Sequence, residues 1–133
     1  CPFPVKSIAP MTWPWDSPLE MSATANRAAE LAGIESRLTP SDILFVEDFL
    51  GPGYGKPSDE GLEAMTLLAR TEGILVEPVY TAKTLAGLID HIRRGHFKPD
   101  QDVVFLHTGG TPAIFAESEM LASRIPRRTH SYS

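Results

Sequence analysis

The sequence carries a single cysteine, Cys1, in 133 residues. That excludes an intramolecular disulfide and a cysteine-based zinc site. It has no apolar run long enough to cross a bilayer, and its first residues lack the charged-then-apolar order of a signal peptide. A cytoplasmic protein with no membrane role is therefore expected. Excess basic charge is also missing: the formal net charge is -5, which argues against a nucleic-acid partner. The one basic cluster, Arg124, Arg127 and Arg128, lies in a proline-containing tail that reads as a solvated end. His91, His96 and His107 lack metal-ligand spacing, so no metal site is expected. His107 closes an apolar run and reads as a hydrogen-bonded core histidine.

What is present describes one globular domain with one modest core: 42% apolar residues and a mean hydropathy of -0.10. Residues 1–16 form a leading segment rich in proline that holds both tryptophans. A short strand fits within Val5 to Ala9, while Pro10 and Pro14 forbid a helix there. Ser17-Pro18-Leu19-Glu20 reads as a capping box, so a helix should run to about Ala32. Its alanines, Ala23, Ala25, Ala28, Ala29 and Ala32, suggest close packing against a sheet. Ile43 to Val46 reads as a strand. Ser58 or Asp59 then caps a helix from about Glu60 to Glu72, with Leu62, Met65, Leu68 and Ala69 inward. Ile74 to Val79 is a further strand, followed by a helix from about Ala82 to Arg94 that shows Leu85, Leu88, Ile89 and Ile92 at helical spacing. Strands alternating with helices predict an α/β fold with a doubly wound, mostly parallel sheet and flanking helices. The α/β portion spans 17–116, and 117–133 is a C-terminal tail.

Val103-Val104-Phe105-Leu106-His107-Thr108-Gly109-Gly110-Thr111-Pro112 is the most informative stretch. Its apolar run predicts a strand buried on both faces, its glycines a sharp turn that lets backbone approach a ligand, and Ala113 to Ala116 a helix start. In open α/β sheets ligands bind beyond the carboxyl ends of strands. The polar residues there are Tyr54, Tyr80, Thr81, Thr108, Gly109 and Gly110, from three strand exits. Each also has a plain structural reading: Tyr54 as a ring covering the core, Tyr80 as a strand-end aromatic, Thr81 as a helix cap, Thr108 as a cap and Gly109-Gly110 as a turn. The loop Gly51-Pro52-Gly53-Tyr54-Gly55-Lys56 is not a phosphate loop, because its spacing is wrong and Pro52 removes an amide donor.

Several short motifs recur in a characteristic order: Gly53-Tyr54-Gly55, Asp59-Glu60-Gly61-Leu62-Glu63-Ala64, Leu67-Leu68-Ala69-Arg70, Glu72-Gly73-Ile74-Leu75, Pro78-Val79-Tyr80-Thr81, Ala86-Gly87-Leu88-Ile89 and His107-Thr108-Gly109-Gly110. Together they resemble the C-terminal portion of the D-cysteine desulfhydrase / 1-aminocyclopropane-1-carboxylate deaminase family. The likeness is dense from Leu44 to Ala116 and looser from Val5 to Gly33. The family implies a tryptophan-synthase-β-like fold (fold type II), pyridoxal 5'-phosphate as cofactor, a small amino acid as substrate and a homodimeric full-length enzyme. It implies that Thr108 faces the pyridine nitrogen, that Thr81, Gly109 and Gly110 line the cofactor with it, and that Tyr54 and Tyr80 act beside the substrate as catalytic residues. Thr81 stands where the deaminase branch carries an acidic residue, which favours the desulfhydrase branch. Ala82 and Thr111 depart from the family's usual glycine and alanine. Nothing matches the family's Schiff-base lysine segment, its substrate loop or its phosphate-binding loop. Lys83 offers itself as a substitute Schiff-base lysine, but it lies in the first turn of a helix where relatives have a structural lysine, and the structural role is expected. The expectation is a C-terminal piece that is not competent for catalysis alone; the alternative is a non-catalytic α/β binding or interaction module derived from that scaffold.

Overall fold

A computed structural model describes residues 4–125. Its first unit is a parallel pair of strands joined by a helix. Strand β1 (Lys6–Ile8) pairs with β2 (Leu44–Val46) in the register Lys6 to Leu44, Ser7 to Phe45 and Ile8 to Val46. The Ala9 amide extends the ladder to the Val46 carbonyl at 2.8 Å. Helix α1 (Ser17–Leu31) makes the crossover that parallel pairing requires. Asp16, rather than Ser17, caps it: its carboxylate accepts the Leu19 amide at 3.0 Å. An anionic acceptor at a helix N-terminus is favoured by the helix dipole, and Ser17 is left as the buried first helical residue. The alanines do not pack as closely as expected; Ala28 and Ala32 face solvent, and Ser17 and Ser22 are the buried residues of α1. The return chain is clamped instead by Asn26, whose side chain donates to the Leu38 carbonyl and accepts the Leu38 amide, both at 2.8 Å. A 3-10 turn (Pro40–Asp42) leads into β2.

Two helices then form the core. In α2 (Asp59–Glu72) the Ser58 hydroxyl accepts the Gly61 amide at 3.0 Å, and Gly73 ends the helix in the left-handed region. Helix α3 (Thr81–Arg93) packs on it, burying Ala82, Leu85 and Ala86 against Leu62, Ala64 and Met65. Ala82, Ala86 and Gly87 join Leu85 on the inward side of α3, and Ile92 lies exposed. The reason for the small residues is close approach: a Cβ on Gly87 would sit 3.1 Å from Ile8 and 3.2 Å from Phe49. Two short helices, α4 (Ala113–Ala116) and α5 (Ser118–Arg124), complete the described chain. The stretch read as a solvated tail thus begins with a helix whose Leu121 is buried in the core and whose Arg124 pairs with Asp59. Arg127 and Arg128 lie outside the described residues.

The α/β class, the small parallel sheet and the flanking helices are as the sequence predicts. Two predicted strands are not. Ile74 to Val79 and Val103 to Leu106 have no strand pairing among the described residues. The latter is also not buried on both faces: Val104 is 89% and Leu106 76% exposed, while Phe105 alone of that run packs on the core. A strand exists only with a neighbour for its amides and carbonyls, and the sheet described here stops at two members. Among the described residues no helix is long and apolar enough to cross a membrane, and none of their side chains cluster as a metal site.

Candidate functional site

The start of α3 organises the site. Glu77 is 1% exposed, at the end of an apolar run. Its carboxylate accepts three successive backbone amides: Val79 at 2.8 Å, and Tyr80 and Thr81 at 2.6 Å each. Thr81 completes the arrangement from the other side, accepting the Glu77 amide at 2.9 Å. Its hydroxyl lies 3.2 Å from a Glu77 carboxylate oxygen, so it is buried and turned into the protein. Thr81 is the first residue of α3 rather than its cap. Glu77 supplies the acceptors that a capping side chain would otherwise offer.

Lys83, in the same first turn of α3, is completely buried. Its ammonium donates to the carbonyls of Pro10 at 3.0 Å, Leu50 at 2.7 Å and Gly53 at 3.1 Å. Three donors meet three acceptors, so no proton of the ammonium is left over. Burial holds the Lys83 amine below its ordinary pKa, opposed by the Glu77 carboxylate. Lys83 is therefore a structural lysine, as its family counterpart implies. It fastens the loop 50–57 to α3, and that loop carries Tyr54.

Tyr54 and Tyr80 meet hydroxyl to hydroxyl. Their rings stand edge to face with centroids 6.0 Å apart, and both are about half exposed. The bond from Tyr54 pushes the Tyr80 phenol above its ordinary pKa; desolvation and the charges of Tyr54 and Glu77 act in the same sense. A phenol so shifted stays neutral at pH 7 and is a proton donor there.

The third part is the turn after Leu106. The Gly109 amide donates to Nδ1 of His107 at 3.1 Å, which leaves Nε2 as the protonated nitrogen, facing the Leu75 carbonyl at 3.0 Å. His107 is thus hydrogen-bonded as expected, although half-buried rather than in the core. Gly109 and Gly110 take φ values of +101° and +86°, which glycine alone adopts freely. A Cβ on Gly110 would lie 2.5 Å from Cγ of Glu77, whereas one on Gly109 would meet nothing within 4 Å. The turn therefore rests on Glu77 through Gly110 and is open at Gly109. Thr108 is exposed, and its hydroxyl bonds to none of the described residues.

Of the six residues expected to form the site, Tyr54 and Tyr80 are in direct contact. Tyr80, Thr81 and Gly110 all touch Glu77. Thr108 and Gly109 belong to the same turn but bond to neither tyrosine. Glu77 is the residue the sequence reading missed. Its signal was a charged residue inside an otherwise apolar run, where a carboxylate survives burial only if hydrogen-bonded. The open groove of about 440 Å³ beside α2, lined by Leu62, Glu63, Leu67 and Ile125 among others, includes none of these residues.

Comparison with known proteins bears on the family and the fold. A profile described as pyridoxal-phosphate dependent enzyme matches residues 8–109. A crystal structure described as that of the ACC deaminase homologue is similar, with 29% sequence identity and a TM-score of 0.72 over 89% of this chain and 34% of that one. The chain thus spans about a third of the length of that relative. The residues present suit one side of such a cofactor site: an unbonded Thr108 hydroxyl, an open glycine beside it and a pair of exposed phenols. With the match covering well over half its length and the fold in agreement, the chain belongs to the family of pyridoxal-phosphate dependent enzymes.

Proposed function

We propose that this chain supplies one wall of the active site of a pyridoxal-phosphate enzyme that acts on a small amino acid, by D-cysteine desulfhydrase-like α,β-elimination to pyruvate, ammonia and sulfide. The observation that carries this reading is the Tyr54–Tyr80 hydroxyl bond, seated on the same Glu77 that supports the Thr108-Gly109-Gly110 turn. The cofactor, when bound, supplies an electron sink for cleavage at the substrate's Cα. Thr108 offers the ring nitrogen a neutral hydroxyl, far too weak an acid to hold that nitrogen protonated. A softened sink suits prompt loss of a β-leaving group such as sulfide. Tyr80, neutral at pH 7, holds a proton at its phenolic oxygen, and Tyr54 can pass it on through the bond they share. Thr81, immediately after Tyr80, supports desulfhydration over deamination of 1-aminocyclopropane-1-carboxylate, for which the family resemblance implies an acidic residue there. The reading places the Schiff-base lysine and phosphate loop in the part of the enzyme that this chain does not cover, in a cytoplasmic homodimer.

Sulfide release from D-cysteine and ammonia release from 1-aminocyclopropane-1-carboxylate, measured on the complete enzyme, test the reading. Sulfide release should dominate; an enzyme that retains pyridoxal phosphate yet is inert toward D-cysteine overturns it. Thr108→Asp should lower sulfide release by about tenfold or more while cofactor retention changes little. Unchanged turnover would remove Thr108 from this role.

A further inference from the structure

We propose that Glu77 is a positioning residue that sets the direction of the Tyr80 phenol, and hence the Tyr54–Tyr80 bond, relative to the Gly109–Gly110 turn. Little besides its own backbone holds Tyr80. Its ring is 43% exposed, so packing fixes little of it. Its helix end has no side-chain cap from Tyr80 itself. What remains is the backbone from Val79 to Thr81, and every amide of that stretch ends on the Glu77 carboxylate. Thr81 grips the Glu77 amide in return, and the Ala82 amide bonds the Glu77 carbonyl at 2.9 Å. Glu77 is thereby fixed at both its backbone and its carboxylate, and the peptide that directs the Tyr80 ring is fixed with it.

The same side chain is also a gauge for the opposite wall. Gly110 lies against its methylenes so closely that a Cβ would require Glu77 to move. Tyr54 reaches the same helix start by another route, through Lys83 and the Gly53 carbonyl. Two phenols and one glycine turn are therefore referred to the start of α3, Tyr80 and the turn through Glu77 and Tyr54 through Lys83. The role concerns the site described under Proposed function and takes its importance from that reading.

The test uses the whole 133-residue chain and needs no cofactor, so its failure would leave the cofactor assignment standing, and failure of that assignment would leave this geometry standing. The chain has three tyrosines. With Tyr132→Phe as background, tyrosinate absorbance reports on Tyr54 and Tyr80 alone. The background chain should titrate with a component above the ordinary tyrosine value of about 10. Tyr54→Phe should lower that component by deleting the bond, its largest cause, which calibrates the loss. Glu77→Ala should lower it by as much as Tyr54→Phe does, more than the small part its own charge contributes, in a chain that circular dichroism shows to be folded. A folded Glu77→Ala chain that keeps the raised component overturns the proposal. If Glu77→Ala does not fold, Gly110→Ala decides: the added methyl presses on Glu77 from outside, and the raised component should again be lowered. Its persistence there would overturn the proposal.

Discussion

His91 shows how a single side chain makes stability depend on pH. It is 9% exposed, with its ring 4.7 Å from that of His96 and edge-on to Phe49 and Phe97. Burial holds its pKa below 6.5, helped by the nearby charges of Lys6, His96 and Arg94 and opposed by Asp90. As pH falls below 6.5 the unfolded chain takes up this proton before the folded chain does. Stability is therefore lost between 6.5 and the lower folded value. One such group contributes a slope of at most about 1.4 kcal/mol per pH unit. His91→Phe keeps an aromatic ring in the same place and removes the proton site. Urea unfolding across this range should show a shallower pH dependence in the variant, and an equal slope would show that His91 is not protonated unequally in the two states. Glu77 and Lys83 belong to the same scale: each is a charged group that survives burial because every donor or acceptor it presents is matched.

Among the elements, α3 is the one to which the rest is fastened. Its first turn carries Thr81 and Lys83, and Lys83 ties the chain before α1 and the Tyr54 loop to the helix through carbonyls of Pro10, Leu50 and Gly53. Lys83→Met keeps a long side chain but leaves those three carbonyls without their donor. A loss of about 3 kcal/mol in urea unfolding is expected, since hydrogen bonds to charged groups contribute about 1.5–3 kcal/mol each and partial rehydration offsets the rest. Amide exchange at Gly53, Tyr54 and Gly55 should accelerate by more than in the helices; protection left intact would assign the loop's order to other contacts. At this scale the sequence was informative. The limits of α2 and α3 follow from Ser58, Gly73 and helical periodicity, because local hydrogen bonding decides them. The Tyr54–Tyr80 meeting was legible only as two polar strand exits. The three carbonyls that justify the buried Lys83 are 30 to 73 residues away, and no local pattern encodes those; Glu77 bonds amides only two to four residues on, so its apolar setting was the local signal.

For the whole molecule the decisive fact is the mismatch between apolar sequence and the sheet available to bury it. Val103-Val104-Phe105-Leu106 reads as a buried strand and Ile74-Leu75 as the start of another because their side chains are apolar and mostly β-favouring, a property of the residues themselves. Burial, however, depends on neighbours, and among the described residues the sheet has two strands. Val104, Leu106, Leu75, Ile74 and Leu44 are left between 41% and 89% exposed. Unpaired backbone and exposed apolar side chains in one extended segment form a template for association. The isolated chain should therefore self-associate, with a sedimentation coefficient that rises with concentration. Val104→Lys combined with Leu106→Lys should suppress that rise and leave urea stability within about 0.5 kcal/mol, because neither side chain contributes to the core. Phe105→Lys, at the one position of the run that packs inward, should instead destabilise the chain by more than about 2 kcal/mol. If the outward pair destabilised the chain as much as Phe105→Lys, the segment would be buried in solution in a way this fold does not provide.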